Sequence, residues 1–405
     1  MAAMAGLLTA RGLARAAALG GALGLTGLLG GCGSTIPGLG SSEPPPPPVQ
    51  QTQPLTPPSG DVLGTGPTRV AIILPITQGG QPSAVGASLR NAAELAMEQA
   101  GSSITLIIKD DGSSPAGARA AAEAALQEGA QAFIGPLYAG NVREVGMIGR
   151  RANRPVIAFS TDSSVAARGV YLLSFLVESY VNRVVDYAAD RGKRSIAAMV
   201  PESDYGNAAL AAFQSAAGRR GLRVVTIERY PEGNPQAAAQ KIGGIAGQID
   251  SLFIPEQAAN MAGVSRALTA AGVKPGTIQV LGTGVWADSR VLNLPLLQGA
   301  WFSSPENSGF NDFAQRYRAK FNSDPVRLAS LAYDTVTFVG ALAGAQRLNE
   351  ASLTDGNGAV GADGLFRLRG DGLNDRGLSV QQIRAGQTTV VSPAPRSFTG
   401  GRSGT

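Results

Sequence analysis

"RVAIILPITQGGQPSAVGASLRNAAELA", residues Arg69 to Ala96, carries the pattern that decides the fold. Val70 to Leu74 is an unbroken apolar run, closed by Pro75 and a polar turn with two glycines; Ala84 to Gln99 then follows with an alanine-rich helical period. A short apolar run without in-out alternation suits a strand buried on both faces, the inside of a parallel sheet covered by helices. The couple repeats along the chain. Ile104 to Ile108 precedes the helical stretch Pro115 to Glu128, and Ala132 to Ile134 and Val156 to Phe159 read as further strands. In Tyr180 to Ala188, the residues Val181, Val184, Val185 and Ala188 recur at helical spacing. A second series begins near Ser195, with strands at Ile196 to Val200, Val224 to Ile227, Leu252 to Ile254 and Ile278 to Leu281. Two successive series of this kind predict an α/β protein of two lobes, each built on a parallel sheet. Helical patterns at Asn311 to Phe321 and Ala329 to Gly344 come afterwards and must pack on one lobe or the other; Gly361 to Gln387 reads as hairpins with Gly and Asn turns.

Composition removes most chemistries. The 405 residues are 44% hydrophobic and 16% charged, enough for two cores and unlike a disordered chain. With no histidine and one cysteine there is no Ser-His-Asp or Cys-His relay, no imidazole switch, no intramolecular disulfide and no ordinary Cys/His zinc site. Acid-base candidates are limited to carboxylates and lysines, and spacing pairs none of them, so the chain reads as a non-enzyme needing no cofactor and no metal. The formal net charge is +5, with basic residues scattered among acidic ones, which speaks against a nucleic-acid partner.

The N-terminal segment Met1 to Gly31 has Arg11 and Arg15 as its only charges, then an Ala, Leu and Gly run, the shape of an export signal. Leu29-Gly30-Gly31 before Cys32 resembles the lipobox of bacterial lipoproteins. That resemblance implies acylation of Cys32, and two or more chains anchor firmly at about 0.8 kcal/mol per buried methylene. Gly33 after the cysteine, by the same resemblance, implies an outer-membrane anchor facing the periplasm. Residues 32–67 are rich in Pro, Gly, Ser, Thr and Gln, with Pro44 to Pro48 uninterrupted, and predict an extended linker. The expected organisation is a signal at 1–31, the linker, a two-lobed body at 68–393 and a flexible tail at 394–405.

Ligands of open α/β sheets collect beyond the carboxyl ends of the strands. Those ends carry Thr77-Gln78, Asp110-Asp111, Gly135 to Tyr138, Ser160 to Asp162, Glu202 and Glu256-Gln257. Such a rim suits a small polar ligand held by hydrogen bonds.

The opening stretch, the "QAFIGPLYAG" loop, "PVIAFST" and "SDYGNAALAAF" resemble the type I periplasmic binding proteins of the leucine-binding group. The resemblance spans Thr68 to Gln387. It implies two Rossmann-like lobes joined by a hinge, with crossings near Ser174 to Glu178, Gly282 to Trp301 and Tyr333 to Arg347. Lobe one then takes 68–175 and 303–340, and lobe two 176–285 and 345–393. It also implies cleft positions for Thr77, Tyr138, Ser160, Thr161, Tyr205, Glu256 and Trp286. Departures from the amino-acid-binding pattern are visible: Tyr138-Ala139 stands where serine hydroxyls meet the ligand carboxylate, and the acid for the ammonium falls close to Gly284, leaving Glu256 as its substitute. "LLSFLVESYVNRVVDYAADRGKRSIAAMVPESDYG" and "GLFRLRGDGLNDRGLSVQQIRAGQ" are similar to lipoproteins that activate penicillin-binding proteins, the peptidoglycan synthases. That likeness implies an activator whose partner is such a synthase; the alternative is the substrate-binding protein of an ABC importer for amino acids or related solutes, with a permease as partner.

Other motifs have bland readings. Gly282 to Ala287 has dinucleotide-loop spacing, but Pro295 interrupts the following helix and the loop lies late in the chain, so it reads as a hinge. Asp110-Asp111-Gly112 reads as a turn. Trp286 and Trp301 could stack on a ligand or fill space.

Overall fold

The computed structural model describes residues 55–100 and 103–398. Cys32, the export signal, most of the linker and the last seven residues lie outside the described residues. Strand β1 (Val62–Leu63) leads into β2 (Thr68–Leu74), a small hairpin of β3 (Thr77–Gln78) and β4 (Gln81–Pro82), then α1 (Ala84–Ala100). Next come β5 (Ile104–Asp110), α2 (Pro115–Gln127), β6 (Phe133–Ile134), α3 (Ala139–Arg151), β7 (Val156–Ala158) and β8 (Val170–Leu172). These make a six-stranded sheet of order β1-β5-β2-β6-β7-β8, parallel except at β1.

The unbroken apolar run of β2 has a simple cause. Val70, Ile72 and Leu74 point into a core shared with α1, while Ala71 and Ile73 pack with α2 and α3 on the other face. Both faces are covered, so no position is left for a polar side chain. Fully burying each of these aliphatic residues contributes about 1.5–3 kcal/mol. The turn after β6 needs glycine: Gly135 has φ +77, and a Cβ there would lie 2.2 Å from the Ile73 carbonyl oxygen.

The second lobe begins with α4 (Val177–Asp190), followed by β9 (Ser195–Pro201), α5 (Asp204–Arg219), β10 (Arg223–Tyr230), α6 (Gln236–Gly244), β11 (Ser251–Phe253), α7 (Met261–Ala270), β12 (Gln279–Gly282), α8 (Ser289–Leu292) and β13 (Trp301–Ser304). The chain then returns through α9 (Asn307–Phe321), α10 (Ala329–Gly344), α11 (Glu350–Leu353) and a three-stranded sheet of β14 (Ala359–Gly361), β15 (Gly364–Leu368) and β16 (Asn374–Arg376). Finally β17 (Ser379–Arg384) and β18 (Gln387–Ser392) complete a second sheet of order β10-β9-β11-β12-β13-β17-β18. Its first five strands are parallel, and the closing hairpin adds two antiparallel ones.

Two of the three expected crossings are displaced. The first, between β8 and α4, falls where the sequence puts it. The second is at 305–306, between β13 and α9, and not within Gly282 to Trp301: Trp286, Val291, Leu296, Leu297 and Ala300 all sit in the second-lobe core. The third is at 377–378, between β16 and β17, and not within Tyr333 to Arg347: Tyr333, Val336, Val339 and Ala343 of α10 pack in the first-lobe core, joined by Phe366 and Leu368 of β15. Residues 286–304 therefore join lobe two and 345–376 join lobe one. Apolarity tells where a helix is buried, not which sheet it covers. No helix among the described residues is long and apolar enough to cross a membrane.

Candidate functional site

A cavity of about 680 Å³ lies where loops from both lobes meet. The first lobe contributes Thr161, Asp162 and Ser163 beyond the end of β7, together with Arg327 just before α10. The second contributes Val177 and Tyr180 of α4, Asp204, Tyr205 and Ala208 of α5, and Gln257, Gly284 and Val285 beyond β11 and β12. Phe175, in the first crossing, also lines the cavity. A site at the carboxyl ends of strands is what parallel topology provides, because helix starts and turns there leave side chains unpaired by the sheet.

Local chemistry holds this wall in place. Tyr205 and Thr283 share a hydroxyl hydrogen bond of 2.6 Å, and burial pushes the Tyr205 phenol up to about 12. Burial also raises the Tyr180 phenol, so both tyrosines are neutral donors at neutral pH. The Tyr180 ring lies against Gly284, where a Cβ would come within 2.5 Å of it. The aromatic ring fills the space a larger side chain at Gly284 would take.

Beside Phe175 lies a buried ionic cluster. Asp363 is fully buried, paired with Arg327 and accepting a hydrogen bond from the Ser330 hydroxyl. The Arg327 guanidinium also donates to Asn307 Oδ1 at 3.3 Å and lies 4.1 Å from the Phe310 ring centre. Arg376 and Asn374 both donate to the Ser174 carbonyl, at 2.9 and 2.8 Å, tying β16 to the first crossing. The Arg376 guanidinium stacks 4.6 Å from the centre of Phe175.

Asp334 of α10 belongs to the same region and accepts from the Ala362 amide at 2.6 Å. Burial moves its carboxyl from the ordinary 3.8 up to about 7, against the lowering effects of that amide and of Arg376. A carboxyl raised on folding binds more protons in the folded state, so its contribution is full below about pH 4 and is lost as pH rises toward 7. The expected loss is on the order of 4 kcal/mol between pH 4 and 7. Denaturant unfolding of the protein and of Asp334→Asn across that range checks it; parallel curves for the two would refute it.

The expected ligand residues divide. Thr161 and Tyr205 line the cavity. Ser160 is buried just behind the wall, its hydroxyl accepting from the Asp162 amide at 3.1 Å. Thr77 is engaged elsewhere, donating through its hydroxyl to Asp110 Oδ2 at 2.6 Å. Partial burial pushes Asp110 up, but bonds from Thr77 and Gly112 outweigh it and hold the carboxyl below its ordinary value. Asp111 accepts from the Ser113 amide and from Asn141, which makes this pair of acids a turn. Tyr138 sits exposed at the start of α3, outside the cavity wall.

Glu256 and Trp286 do not face the cleft. Glu256 is 2% exposed and accepts from the Tyr230 hydroxyl at 2.7 Å and from the Gln257 amide at 2.7 Å, beside a separate cavity of about 230 Å³. It cannot stand in for a ligand-facing acid. Trp286 is fully buried, its indole donating to the Glu256 carbonyl at 3.1 Å. Trp301 packs edge-on against Tyr187 at 4.9 Å, so both tryptophans fill space. Sequence reasoning missed Phe175, Val177, Tyr180, Asp204 and Arg327. Phe175 lies in the stretch expected to cross, a usable signal; Arg327 sits in a loop between helices and had none.

Residues 67–388 match the family described as periplasmic binding protein. The chain belongs to that family. Its membership implies a periplasmic or envelope location and a binding fold that is generally non-catalytic. No curated protein matches the chain by sequence. Among solved structures, a putative branched-chain amino acid ABC transporter from Rhodospirillum rubrum is similar at 18% identity and TM-score 0.69, covering 80% of this chain and 99% of that one. An ABC transporter substrate-binding protein from Desulfitobacterium hafniense in complex with Leu matches at 19% and TM-score 0.59, covering 80% and 99%. A solute binding protein of an ABC transporter from Rhodopseudomonas palustris BisB5, in complex with 3,4-dihydroxy benzoic acid, matches at 18% and TM-score 0.57, covering 82% and 97%. At these identities the likeness establishes the two-lobed type I fold.

Proposed function

We propose that this periplasmic binding protein is the solute-binding component of an ABC importer, holding a small polar solute between its lobes and presenting it to a permease. One observation carries the reading: the cavity of about 680 Å³ is walled by both lobes, with Phe175 of the first crossing in its lining, so rotation about the crossings would enclose a ligand. Similar folds are found in an ABC transporter substrate-binding protein in complex with Leu and in an ABC transporter solute binding protein in complex with 3,4-dihydroxy benzoic acid, which supports a small ligand. Under this reading Cys32 carries the lipid anchor and the Pro-rich segment gives the body its reach from the membrane.

A second reading, activation of a peptidoglycan synthase, is favoured by the dispersal of the amino-acid-binding pattern. Glu256 is turned inward and Tyr138 stands outside the cavity. An activator tolerates a cleft that no longer serves transport, but it needs an apolar docking face. The exposed large apolar side chains among the described residues, Leu55, Tyr138, Met147, Val224, Val360 and Val390, are spread over the segment before β1, α3 and its N-cap, β10, β14 and β18. That distribution favours the importer.

Affinity capture from detergent-solubilised membranes with the mature full-length chain separates the two. Permease subunits are the expected catch, and recovery of penicillin-binding proteins without them would replace the first reading by the second. A Cys32→Ala form working normally in cells would remove the tether from both.

A further inference from the structure

A separate cavity of about 610 Å³ lies in lobe one at the amino ends of its strands, away from the cleft. Pro155 and Gly169, which line it, stand just before β7 and β8, whereas the solute site lies beyond the carboxyl ends of the strands. Its charge is one-sided. Arg150, Arg154 and Arg168 line it, and Glu350 is the only acid that does. Glu350 is already engaged, accepting from Arg168 Nε and Nη2 at 2.8 and 3.0 Å. Arg150 and Arg154 have no ion pair and no side-chain hydrogen bond among the described residues. Tyr171 adds no negative charge at neutral pH, because burial, and then the Glu350 carboxylate, raises its phenol. The lining keeps a surplus of two positive charges.

A helix end explains only part of this. Arg150 is in the last turn of α3, where a cation complements the carbonyl end of the helix. Arg154 lies past that helix, and Arg168 comes from the loop before β8. The fold gathers all three. A Cβ on Gly169, next to Arg168, would lie 3.7 Å from Arg150 Cγ, and the Gly169 carbonyl accepts at 3.0 Å from the amide of Val156, close behind Arg154. A concavity lined by one sign of charge concentrates counter-ions. Guanidinium groups present paired donors that match phosphate oxygens, and the side-chain amides of Gln131, Asn153 and Asn349 add neutral donors to the same lining.

We infer that this cavity is a second binding site, for a phosphomonoester, whose charge of about −1.5 to −2 at neutral pH matches the surplus. A carboxylate, with one charge and two oxygens, leaves one guanidinium uncompensated. A soluble ester and a lipid head group offer the same chemistry. The linker joins the body on this side, with Leu55 beside Gly129, close to Gln131 in the lining.

Two arms test the site and separate the sources, both with the mature full-length chain carrying Cys32→Ala, so that no acyl group binds a vesicle by itself. In the first, glycerol 3-phosphate is titrated calorimetrically at pH 7.5 and low salt, with glycerol and lactate as controls. In the second, co-sedimentation is measured with phosphatidylcholine vesicles that contain or lack phosphatidate. Glycerol 3-phosphate binding at least tenfold more tightly than lactate, or sedimentation that requires phosphatidate, is the expected result, and the arm that responds names the source. Arg154→Gln is expected to weaken that response at least tenfold with the urea unfolding midpoint unchanged, since the side chain is exposed. A response in neither arm overturns the inference. So does one that lactate or glycerol matches, or one that survives Arg150→Gln and Arg154→Gln together. None of these outcomes touches the solute-site reading, because both arginines lie outside the lining of the cleft cavity.

Discussion

Trp286→Ala is expected to lower the unfolding free energy by about 3–5 kcal/mol, the range for truncating a large buried aromatic residue. The side chain is fully buried in a cluster with Val291, Leu297 and Phe302, so its removal leaves a void that packed neighbours cannot readily fill. Two further features push the effect upward. The ring lies so close over Gly282 that a Cβ at that glycine would be 2.3 Å from it, which means the β12 backbone is seated directly on the indole. The indole nitrogen satisfies the Glu256 carbonyl at 3.1 Å, and alanine would leave that buried acceptor without its partner. Urea unfolding followed by fluorescence or circular dichroism measures the loss. A loss below about 1 kcal/mol, or weakened ligand binding with stability intact, would mean that Trp286 belongs to the cleft after all.

The second large effect is expected from Arg327→Leu. Asp363 has no solvent exposure, and Arg327 is its only charged partner among the described residues; removing one side of such a pair costs about 3–5 kcal/mol because the remaining charge stays buried. Arg327 is itself about one-third exposed, so the reverse change, Asp363→Asn, leaves a cation that can reach solvent and is expected to cost less. Combining Arg327→Leu with Asp363→Asn should recover most of the lost stability, since neither charge is then left alone. A double-mutant cycle from denaturant unfolding reads this directly. If the double variant is as unstable as Arg327→Leu alone, packing of the Arg327 side chain on Phe310, at 4.1 Å, is the cause and the ion pair is not.

These two residues show where reading a sequence succeeds and where it stops. The sequence puts Trp286 beside a strand end, where stacking on a ligand and packing fit equally; the choice depends on whether Gly282 lies beneath the ring, a fact of backbone approach. Arg327 carried no local signal because its importance comes from Asp363, 36 residues further on in another element. Glu256 is the converse case. It stands at a strand end, where ligand-facing acids are found, but the Tyr230 hydroxyl and the Gln257 amide draw it inward. A side chain at such a position can turn toward the cleft or toward the layer beneath, and its spatial neighbours decide.

The sequence by itself determined the α/β class, the division into two sheet-based series and the approximate spans of β2, β5, β6, β7, β9, β10, β11 and β12 and of α1, α2, α4, α9 and α10, because burial on both faces of a parallel sheet and one apolar stripe per helix are written in short-range periodicity. Only the tertiary structure decided that 286–304 belongs to the second lobe and 345–376 to the first, and that Phe175 and Arg327 line the cavity. Those outcomes depend on contacts between residues far apart in the chain, where identical apolar patterns fit either lobe and the shape of the packed surfaces selects one.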